Sequence, residues 1–383
     1  MIKANTISQT SLIAAFMYSI LATAGLFYVN LGGAFLSAFV DGLEIGRDEA
    51  GFIVSANKYG AAFGALIATF LVKKIPWRKS TTVLLVLMIL IDIISSQIID
   101  PQSLILVRFL HGTIGGISVG IGLSVIARTV DPDKIFGMLL AVQYSFGSLG
   151  IWTVPRLVDA FGHMAVFGVL SLFSIMTLLI LPFIPDVKTN KTNKTEFKFN
   201  ISYLLVLALL ALFLFQASNM GVADYAFELG KDIGLVNNEI SNMLTIANII
   251  SISGGILVYI IGTKYGRTAP LVVGISISAI FTFLLHYSNN ISIYFLANTV
   301  TGIAWAFVIP YILGLCASFD SHGQMAALGG FVSKVGLATG PLVGALLIIE
   351  YGFGLIINIA SIALALAVLF IYISSTKHKE STE

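Results

Sequence analysis

The chain alternates long apolar runs with short polar stretches, and the runs are long enough to cross a lipid bilayer. A membrane-spanning helix needs about 20 apolar residues. Runs of this kind lie at residues 12–39, 50–72, 80–98, 103–127, 135–158, 163–184, 201–226, 239–262, 270–287, 291–317, 324–349 and 353–375. The period-2 alternation of a membrane barrel is absent, and backbone groups in lipid must be satisfied within each segment. The pattern therefore predicts an all-α membrane protein with twelve transmembrane helices.

The distribution of basic residues predicts the orientation of these helices. With the N-terminus inside, the predicted cytoplasmic segments hold most of the lysines and arginines outside the helices, and the opposite side holds only Arg47 and Lys231. Cytoplasmic loops of membrane proteins carry an excess of Lys and Arg. We therefore expect both termini in the cytoplasm and a multi-pass protein of the plasma membrane, the inner membrane of a prokaryote.

The longest polar stretch between runs, residues 186–200, follows the sixth predicted helix and reads as a cytoplasmic linker. It divides the chain into an N-terminal six-helix bundle, residues 1–185, and a C-terminal six-helix bundle, residues 201–383. A shift of 190 residues superimposes glycines at equivalent points of the halves: Gly64 on Gly254, Gly112 on Gly302, Gly150 on Gly340 and Gly162 on Gly352. The offset indicates two six-helix repeats, which is one of the known plans of membrane transporters.

Composition and motifs exclude several classes of function. Hydrophobic residues make up 57% of the chain and charged residues 10%, with a net charge of +2, so no basic surface for nucleic acid is expected. The single cysteine, Cys316, rules out disulfide frameworks and cysteine-ligated metals. The chain has no H-E-x-x-H, P-loop or nucleophile-elbow motif. We expect no enzymatic activity, cofactor or metal, and a monomer whose partners are a small-molecule substrate, protons and membrane lipid.

Three local patterns, together with the six-plus-six layout, resemble those of the major facilitator superfamily over essentially the whole chain. The segment Gly262–Arg267 is similar to the family's G-x-x-x-D-R/K-x-G-R signature, with Thr263 at the position of the Asp. Arg108-x-x-His111-Gly112 resembles the family's R-x-x-x-G motif. Gly336-x-x-x-Gly340-Pro341-x-x-Gly344 has the shape of a motif that exporters carry in helix 5, although here it lies in helix 11.

The resemblance implies a cytoplasmic gate and a central cavity. The gate candidates are Lys74, Lys264, Gly266 and Arg267. The positive-inside rule explains their charges equally well. Close helix packing explains Gly336, Gly340 and Gly344, which together form a glycine stripe. In the family, helices 1, 4, 7 and 10 line the cavity. By position, this favours four neutral substrate-binding candidates: Asn30, Asn219, Asn298 and Thr301.

Five ionisable residues lie deep within the predicted helices: Lys58, Asp92, Arg108, His111 and Lys334. A charge at a helix centre costs about 2.5 to 3.5 kcal/mol on insertion scales, so such residues pair or face a cavity. Asp92 and Arg108 lie eight positions on either side of the Asp100-Pro101 turn. At about 1.5 Å per residue, both lie about 12 Å below the outer surface, where an ion pair is available.

Lys334 has no acidic residue near its depth in the second half. The deep charges therefore predict a positive aqueous cavity bounded by Lys58, Arg108 and Lys334, unless they only pair with each other. The sequence favours a secondary active transporter that takes up a small organic anion with protons by alternating access. Asp92 is the first candidate for the proton site and His111 the second. Two alternatives stay open: a proton-antiport exporter of amphiphilic compounds, and a non-transporting membrane receptor or scaffold.

Overall fold

A computed structural model describes residues 7–72, 75–187, 202–262, 264–319 and 324–382, and these are predominantly α-helical. The helices before the predicted linker are α1 (Leu12–Thr23), α2 (Phe27–Asn30), α3 (Gly32–Leu43), α4 (Arg47–Leu71), α5 (Trp77–Ser95), α6 (Pro101–Ile126), α7 (Pro132–Phe161) and α8 (Met164–Ile180). Those after it are α9 (Tyr203–Ala223), α10 (Ala226–Asp232), α11 (Asn237–Ile261), α12 (Thr268–Leu284), α13 (Ile291–Ala317) and α14 (Gln324–Thr382). Short 3₁₀ helices follow α8 at Leu181–Phe183 and α12 at Leu285–Tyr287.

Within the described ranges, eight helices are long and apolar enough to cross a membrane. The chain is therefore a multi-pass membrane protein. Large apolar side chains are widely exposed on these helices, as expected for surfaces that contact lipid. Residues 188–200 of the predicted linker lie outside the described residues.

Helix boundaries follow local signals in the sequence. The side chain of Asp100 caps α6 by accepting from the backbone nitrogen of Ser103 at 2.8 Å, and Pro101 occupies the first helical position. In α14 the backbone leaves helical geometry at Gly352, with φ 65° and ψ −172°. This conformation favours glycine. It lies between the predicted runs 324–349 and 353–375.

The sequence predicted one continuous helix over residues 12–39, and this prediction is wrong. The run is divided into α1, α2 and α3, with a turn closed by the Leu26 nitrogen and the Thr23 carbonyl at 2.8 Å. Gly25 lies in this turn, where a β-carbon would overlap the carbonyl oxygen of Gly115 in α6. Close backbone packing, which hydropathy does not register, accompanies the interruption.

The described chain divides into two compact units. The first consists of Met1–Gly46 and Ala56–Asn193, and the second of Arg47–Ser55 and Lys194–Glu383. In the first unit, α4 and α6 approach closely through Gly60, Gly64, Gly112 and Gly116, each of which faces backbone of the other helix. In the second, α9, α12, α13 and α14 share a core that includes Phe215, Ile275, Ile312 and Leu364.

The two units repeat each other's glycine contacts. A β-carbon on Gly64 would overlap the Thr113 carbonyl, and one on Gly254 would overlap the Ile303 carbonyl. Thr113 and Ile303 are themselves separated by the same 190 residues. Gly162 and Gly352, another predicted pair, have φ values of 56° and 65°. The internal repeat inferred from the sequence is therefore confirmed at the level of individual contacts.

Charged side chains cluster at one end of the second unit. Arg47 Nε donates to Glu228 Oε2 at 2.9 Å, and its guanidinium also pairs with Asp232. Lys231 Nζ lies 2.8 Å from Glu228 Oε1. Burial lowers the pKa of Arg47, but hydrogen bonding to Asp232 and the charge of Glu228 outweigh it, so that this pKa is raised. The cluster ties the start of α4 to α10.

Candidate functional site

A buried cluster of charged side chains occupies the first unit. Arg108 Nη1 lies 2.9 Å from Asp92 Oδ1, and both side chains are fully buried. His111 Nε2 lies 3.3 Å from the same carboxylate oxygen. The ion pair expected from the equal depths of Asp92 and Arg108 is confirmed.

The helices place these groups together by simple periodicity. α5 and α6 run antiparallel about the capped turn at Asp100, so residues equally far from the turn lie at the same level. His111 follows Arg108 by about one turn of α6 and lies on the same face. Phe167 of α8 contributes an aromatic ring 5.1 Å from the guanidinium carbon of Arg108. A cation over an aromatic ring is stabilised by the ring quadrupole.

Asn57 of α4 fixes the hydrogen-bonding state of His111. Its Nδ2 donates to the carbonyl oxygen of Arg108 at 3.0 Å and lies 3.0 Å from His111 Nδ1. Since the backbone carbonyl can only accept, the amide nitrogen is the atom that faces both groups. His111 Nδ1 therefore accepts, and neutral His111 carries its proton on Nε2, toward Asp92. A proton on Nδ1 would set two donors against each other.

The cluster keeps unused hydrogen-bonding capacity. Within the described ranges, four atoms of the cluster are buried without a hydrogen-bond partner: Asp92 Oδ2, Arg108 Nε, Arg108 Nη2 and His111 Nε2. Asp92 thus engages Arg108 and His111 through a single oxygen. Its second oxygen can take a proton without displacing a protein donor.

The remaining candidates in the first unit have different surroundings. Lys58 is 2% exposed, next to Asn57 on α4. Asn30, at the end of α2, is half-buried, and its Nδ2 has no hydrogen-bond partner among the residues that the structure describes. Lys58 therefore lies in the interior of the unit, and Asn30 has a free amide donor.

Lys334 is the deep cation of the second unit. Its side chain, on α14, is half-buried. In the described part of the chain, the ammonium group of Lys334 forms no hydrogen bond and no ion pair. A Lys in a membrane-spanning helix without a protein counter-charge is costly unless water or a ligand solvates it.

A hydrogen-bonded network lies one residue from Lys334. Gln216 of α9 donates through Nε2 to Ser333 Oγ at 2.6 Å and accepts at Oε1 from the indole nitrogen of Trp305 at 2.7 Å. Three helices are thereby joined around the half-buried Trp305 ring. The sequence prediction missed Gln216. The available signal was a glutamine inside the apolar run of α9.

The three neutral candidates of the second unit are satisfied by protein atoms. Asn219 donates to the Phe215 carbonyl at 2.7 Å and accepts from Ser278 Oγ at 2.9 Å. Asn298 donates to the Tyr294 carbonyl, and Thr301 to the Ala297 carbonyl, each at 2.8 Å. Asn219 joins α9 to α12, whereas Asn298 and Thr301 are bonded within α13.

Three of the predicted gate residues, Lys264, Gly266 and Arg267, lie in the turn between α11 and α12. Lys74 lies outside the described residues. Lys264 is exposed, with Nζ 5.4 Å from the centre of the Tyr265 ring. Gly266 has a φ of 68°, a conformation in which glycine is favoured. Arg267 is half-buried beside Gly314 of α13.

The exporter-like glycine stripe packs helices together. β-Carbons on Gly340 and Gly344 would overlap the Gly221 nitrogen and the Tyr225 ring, and one on Gly336 would lie 2.8 Å from the Gln216 β-carbon. All three glycines therefore face α9 or the residues that follow it. Small residues at such contacts let two helix backbones approach.

Comparison with known proteins identifies a related family and several similar folds. Residues 204–383 match the sequence model of the Major Facilitator Superfamily. The xylose transporter XylE from E. coli matches with a TM-score of 0.73 at 13% identity, covering 94% of this chain and 98% of that chain. The human organic anion transporter MFSD10 (TETRAN) matches with a TM-score of 0.67 at 16% identity and the same coverage. The nucleoside transporter NupG matches with a TM-score of 0.70 at 13% identity, also with the same coverage. A comparison with curated proteins finds no match.

Repeated helical units with ionisable side chains inside the membrane define a polytopic transporter fold. The family match in the second half and the structural similarity across 94% of the chain agree with that class. Residues 204–383 are therefore similar in sequence to the Major Facilitator Superfamily, and most of the chain shares the fold of the solved transporters that it matches.

Proposed function

We propose that the protein is a secondary active transporter that takes up a small organic anion together with protons by alternating access. In this proposal, the twelve runs are all transmembrane helices and both termini are cytoplasmic. The chain forms two six-helix bundles, residues 1–185 and 201–383, joined by the linker 186–200. The protein lies in the plasma membrane, the inner membrane of a prokaryote, and acts as a monomer without a cofactor.

The observation that carries the anionic substrate is the environment of Lys334. An ammonium group in a membrane-spanning helix needs a compensating charge or water. Lys334 is half-buried and has no acidic partner in the described ranges. A carboxylate or phosphate on the substrate supplies the missing charge. Trp305, fixed by Gln216, offers an aromatic surface nearby.

The fold alone does not indicate whether the substrate is charged or neutral. The similar structures include a xylose transporter, a nucleoside transporter and an organic anion transporter. The proposal for this chain therefore rests on Lys334, with Lys58 and Arg108 as further cations. Asn30, Asn219, Asn298 and Thr301 remain candidates for neutral contacts, and Asn30 has the free donor.

The buried cluster of the first unit supports proton coupling. Protonation of Asp92 at its unused oxygen removes the charge that holds Arg108. Arg108 can then pair with the substrate anion, so proton and anion bind together. Because Asn57 opposes a proton on His111 Nδ1, Asp92 is favoured over His111 as the proton site.

Export of amphiphilic compounds is the less supported alternative. An aromatic content of 11% permits it, and its motif signal was the glycine stripe of Gly336, Gly340 and Gly344, which close packing against α9 explains. The wide exposure of apolar side chains is expected for any membrane protein.

The test begins by finding the substrate. Purified protein is screened for thermal stabilisation by organic acids, amino acids, sugars and lipophilic cations, since a ligand that binds the folded state raises its melting temperature. Uptake of the best anion into proteoliposomes is then compared between wild type, Lys334→Gln and Lys334→Arg. We expect Lys334→Gln to raise KM at least about tenfold, the order of one lost charge-assisted contact. Lys334→Arg should keep the positive charge but lose the geometry of the contact between the lysine ammonium group and the substrate.

Lys377→Gln is the matched control, because Lys377 is exposed near the end of α14 and should leave KM unchanged. Unchanged uptake in Lys334→Gln, or stabilisation by cations and neutral sugars alone, would contradict an anionic substrate.

A further inference from the structure

An open groove of about 1010 Å³ lies at one end of the second unit, outside the proposed substrate site. It is formed where α12 begins and where α13 and the second part of α14 end. Its lining combines basic, hydroxyl and apolar side chains. Such a combination suits an amphiphile better than a uniformly polar solute.

A cation lies at the polar rim of this groove. Arg267 is half-buried, and its Nε would lie 3.5 Å from a β-carbon built on Gly314. Its guanidinium makes no hydrogen bond or ion pair with any residue that the structure describes. A guanidinium presents a planar fork of donors that matches phosphate oxygens. Arg267 therefore offers an unused anion contact.

His378 stands at the same rim in a fixed position. Its Nε2 lies 3.1 Å from Ser318 Oγ, and its ring stacks on Phe319 with 4.0 Å between the ring centres. Both His378 and Ser318 line the groove. A hydrogen-bonding imidazole and a hydroxyl thus accompany the arginine.

Apolar side chains line another part of the groove, on helices apolar enough to span a membrane. Val273 is 54% exposed and Tyr372 53% exposed, and both lie on helices apolar enough to span a membrane. Exposed apolar side chains on such helices contact acyl chains. Leu315 also belongs to the apolar lining. A lipid molecule can therefore enter the groove laterally from the bilayer, and its headgroup would lie at the basic rim.

We propose that this groove binds a phospholipid with a net negative headgroup. The phosphate contacts Arg267 and His378, and the acyl region lies along Val273 and Leu315. Basic pockets between membrane helices are suited to anionic headgroups. A soluble anion has no use for the apolar part of the groove, so lipid is the occupant that fits both ends.

The test uses the full-length protein in detergent and counts bound lipid by native mass spectrometry during titration with phosphatidylglycerol. Phosphatidylcholine with the same acyl chains tests the headgroup charge, and sodium phosphate tests a soluble anion. We expect Arg267→Gln to weaken phosphatidylglycerol binding at least about fivefold, from the loss of one basic contact. Lys264→Gln removes the same charge three residues away, outside the groove lining, and should change binding less than twofold.

Ala269→Phe keeps every charge but fills the groove, because Ala269 is exposed and lines it. This variant should also lose tight binding, so the result does not depend on whether Arg267→Gln folds. Equal effects of the Arg267 and Lys264 substitutions would overturn the proposal. Full competition by sodium phosphate, or equal affinity for phosphatidylcholine, would also overturn it.

Discussion

At the scale of single residues, the most informative feature is the group formed by Asp92, Arg108 and His111. Position relative to the Asp100-Pro101 turn was enough to predict the ion pair, because helix rise converts sequence distance into depth. The sequence could not predict the hydrogen bonds of Asn57 or the ring of Phe167. These depend on the rotation of α4 and α8 about their axes, which depth does not determine.

The second repeat shows that the helices do not need these charges in order to pack. At the offset of 190 residues, Thr282 takes the place of Asp92, Asn298 that of Arg108, and Thr301 that of His111. Thr282 is buried, and Thr301 is satisfied by its own helix. A buried ion pair is weak evidence for stability, because desolvation offsets much of the attraction. A functional role for the charged set is therefore the better explanation.

We predict that Asp92→Asn uncouples transport from the proton gradient. The amide resembles the protonated carboxyl in shape and charge, so the variant should still exchange labelled substrate across proteoliposome membranes. It should no longer accumulate substrate against a gradient when a proton gradient is imposed. Counterflow and proton-driven uptake, measured on the same preparation, separate these two activities.

The double variant Asp92→Thr/Arg108→Asn is the control for folding, since it copies the neutral set of the second repeat. It should express and melt like wild type but fail to accumulate substrate. If the pair were only structural, Asp92→Asn would lose both activities by leaving a buried unpaired Arg108, and the double variant would recover proton-driven accumulation. Normal accumulation by Asp92→Asn together with its loss in His111→Gln would move the proton site to His111.

At the scale of helices, close glycine contacts set the packing. Their equivalence was predictable because the glycines recur at one offset, and a repeated helix pair needs small residues at the same crossing. The division of the first run into three helices was not predictable, since residues 12–39 form one apolar run. Hydropathy reports whether a segment lies in lipid, but it does not report where the backbone turns.

We predict a graded loss of stability when alanine replaces glycine at three positions. Gly340 faces backbone of α9, which cannot move locally, so Gly340→Ala should destabilise the protein by about 1–3 kcal/mol, the usual cost of overpacking. Gly150 faces only the side chain of Leu31, which can rotate, so Gly150→Ala should cost less. A β-carbon on Gly255 of α11 would meet no other part of the described chain within 4 Å, beyond its own helix, and Gly255→Ala should be neutral or stabilising.

Thermal melting of the three variants in one detergent tests this order. All three substitutions change helix propensity in the same direction, so differences among them report packing. A melting temperature for Gly340→Ala equal to that of Gly255→Ala would contradict the close contact between α9 and α14.

At the scale of the whole molecule, two repeats share a framework of contacts but differ in chemistry. The first carries a buried carboxylate with its cations, and the second carries Lys334 beside the network of Gln216, Ser333 and Trp305. The repeat could be predicted from spacing, because packing constrains both copies alike. The chemical difference between the repeats could be predicted only in part. The deep charges were visible in the sequence, but Gln216 was one polar residue among several.

The last prediction concerns alternating access. If the proposed central pathway exists, cysteines that line it should react with a charged, membrane-impermeant thiol reagent, and substrate should change the rate. Asn30→Cys and Asn298→Cys are suitable sites, because both side chains are half-buried and, among the described residues, neither bonds to a neighbouring helix. Cys316, which is fully buried, is first replaced by alanine.

Leu296→Cys is the matched control on α13, since Leu296 is 49% exposed on the apolar surface of the same helix. A thiol facing lipid is not reached by a charged reagent, because the thiolate that reacts is disfavoured in an apolar environment. We therefore expect labelling at positions 30 and 298 that responds to substrate, and little labelling at 296 with or without it. Reaction at 30 and 298 that is indifferent to substrate and to the side of addition would contradict a central pathway. It would leave the buried charges of the two repeats as separate structural features.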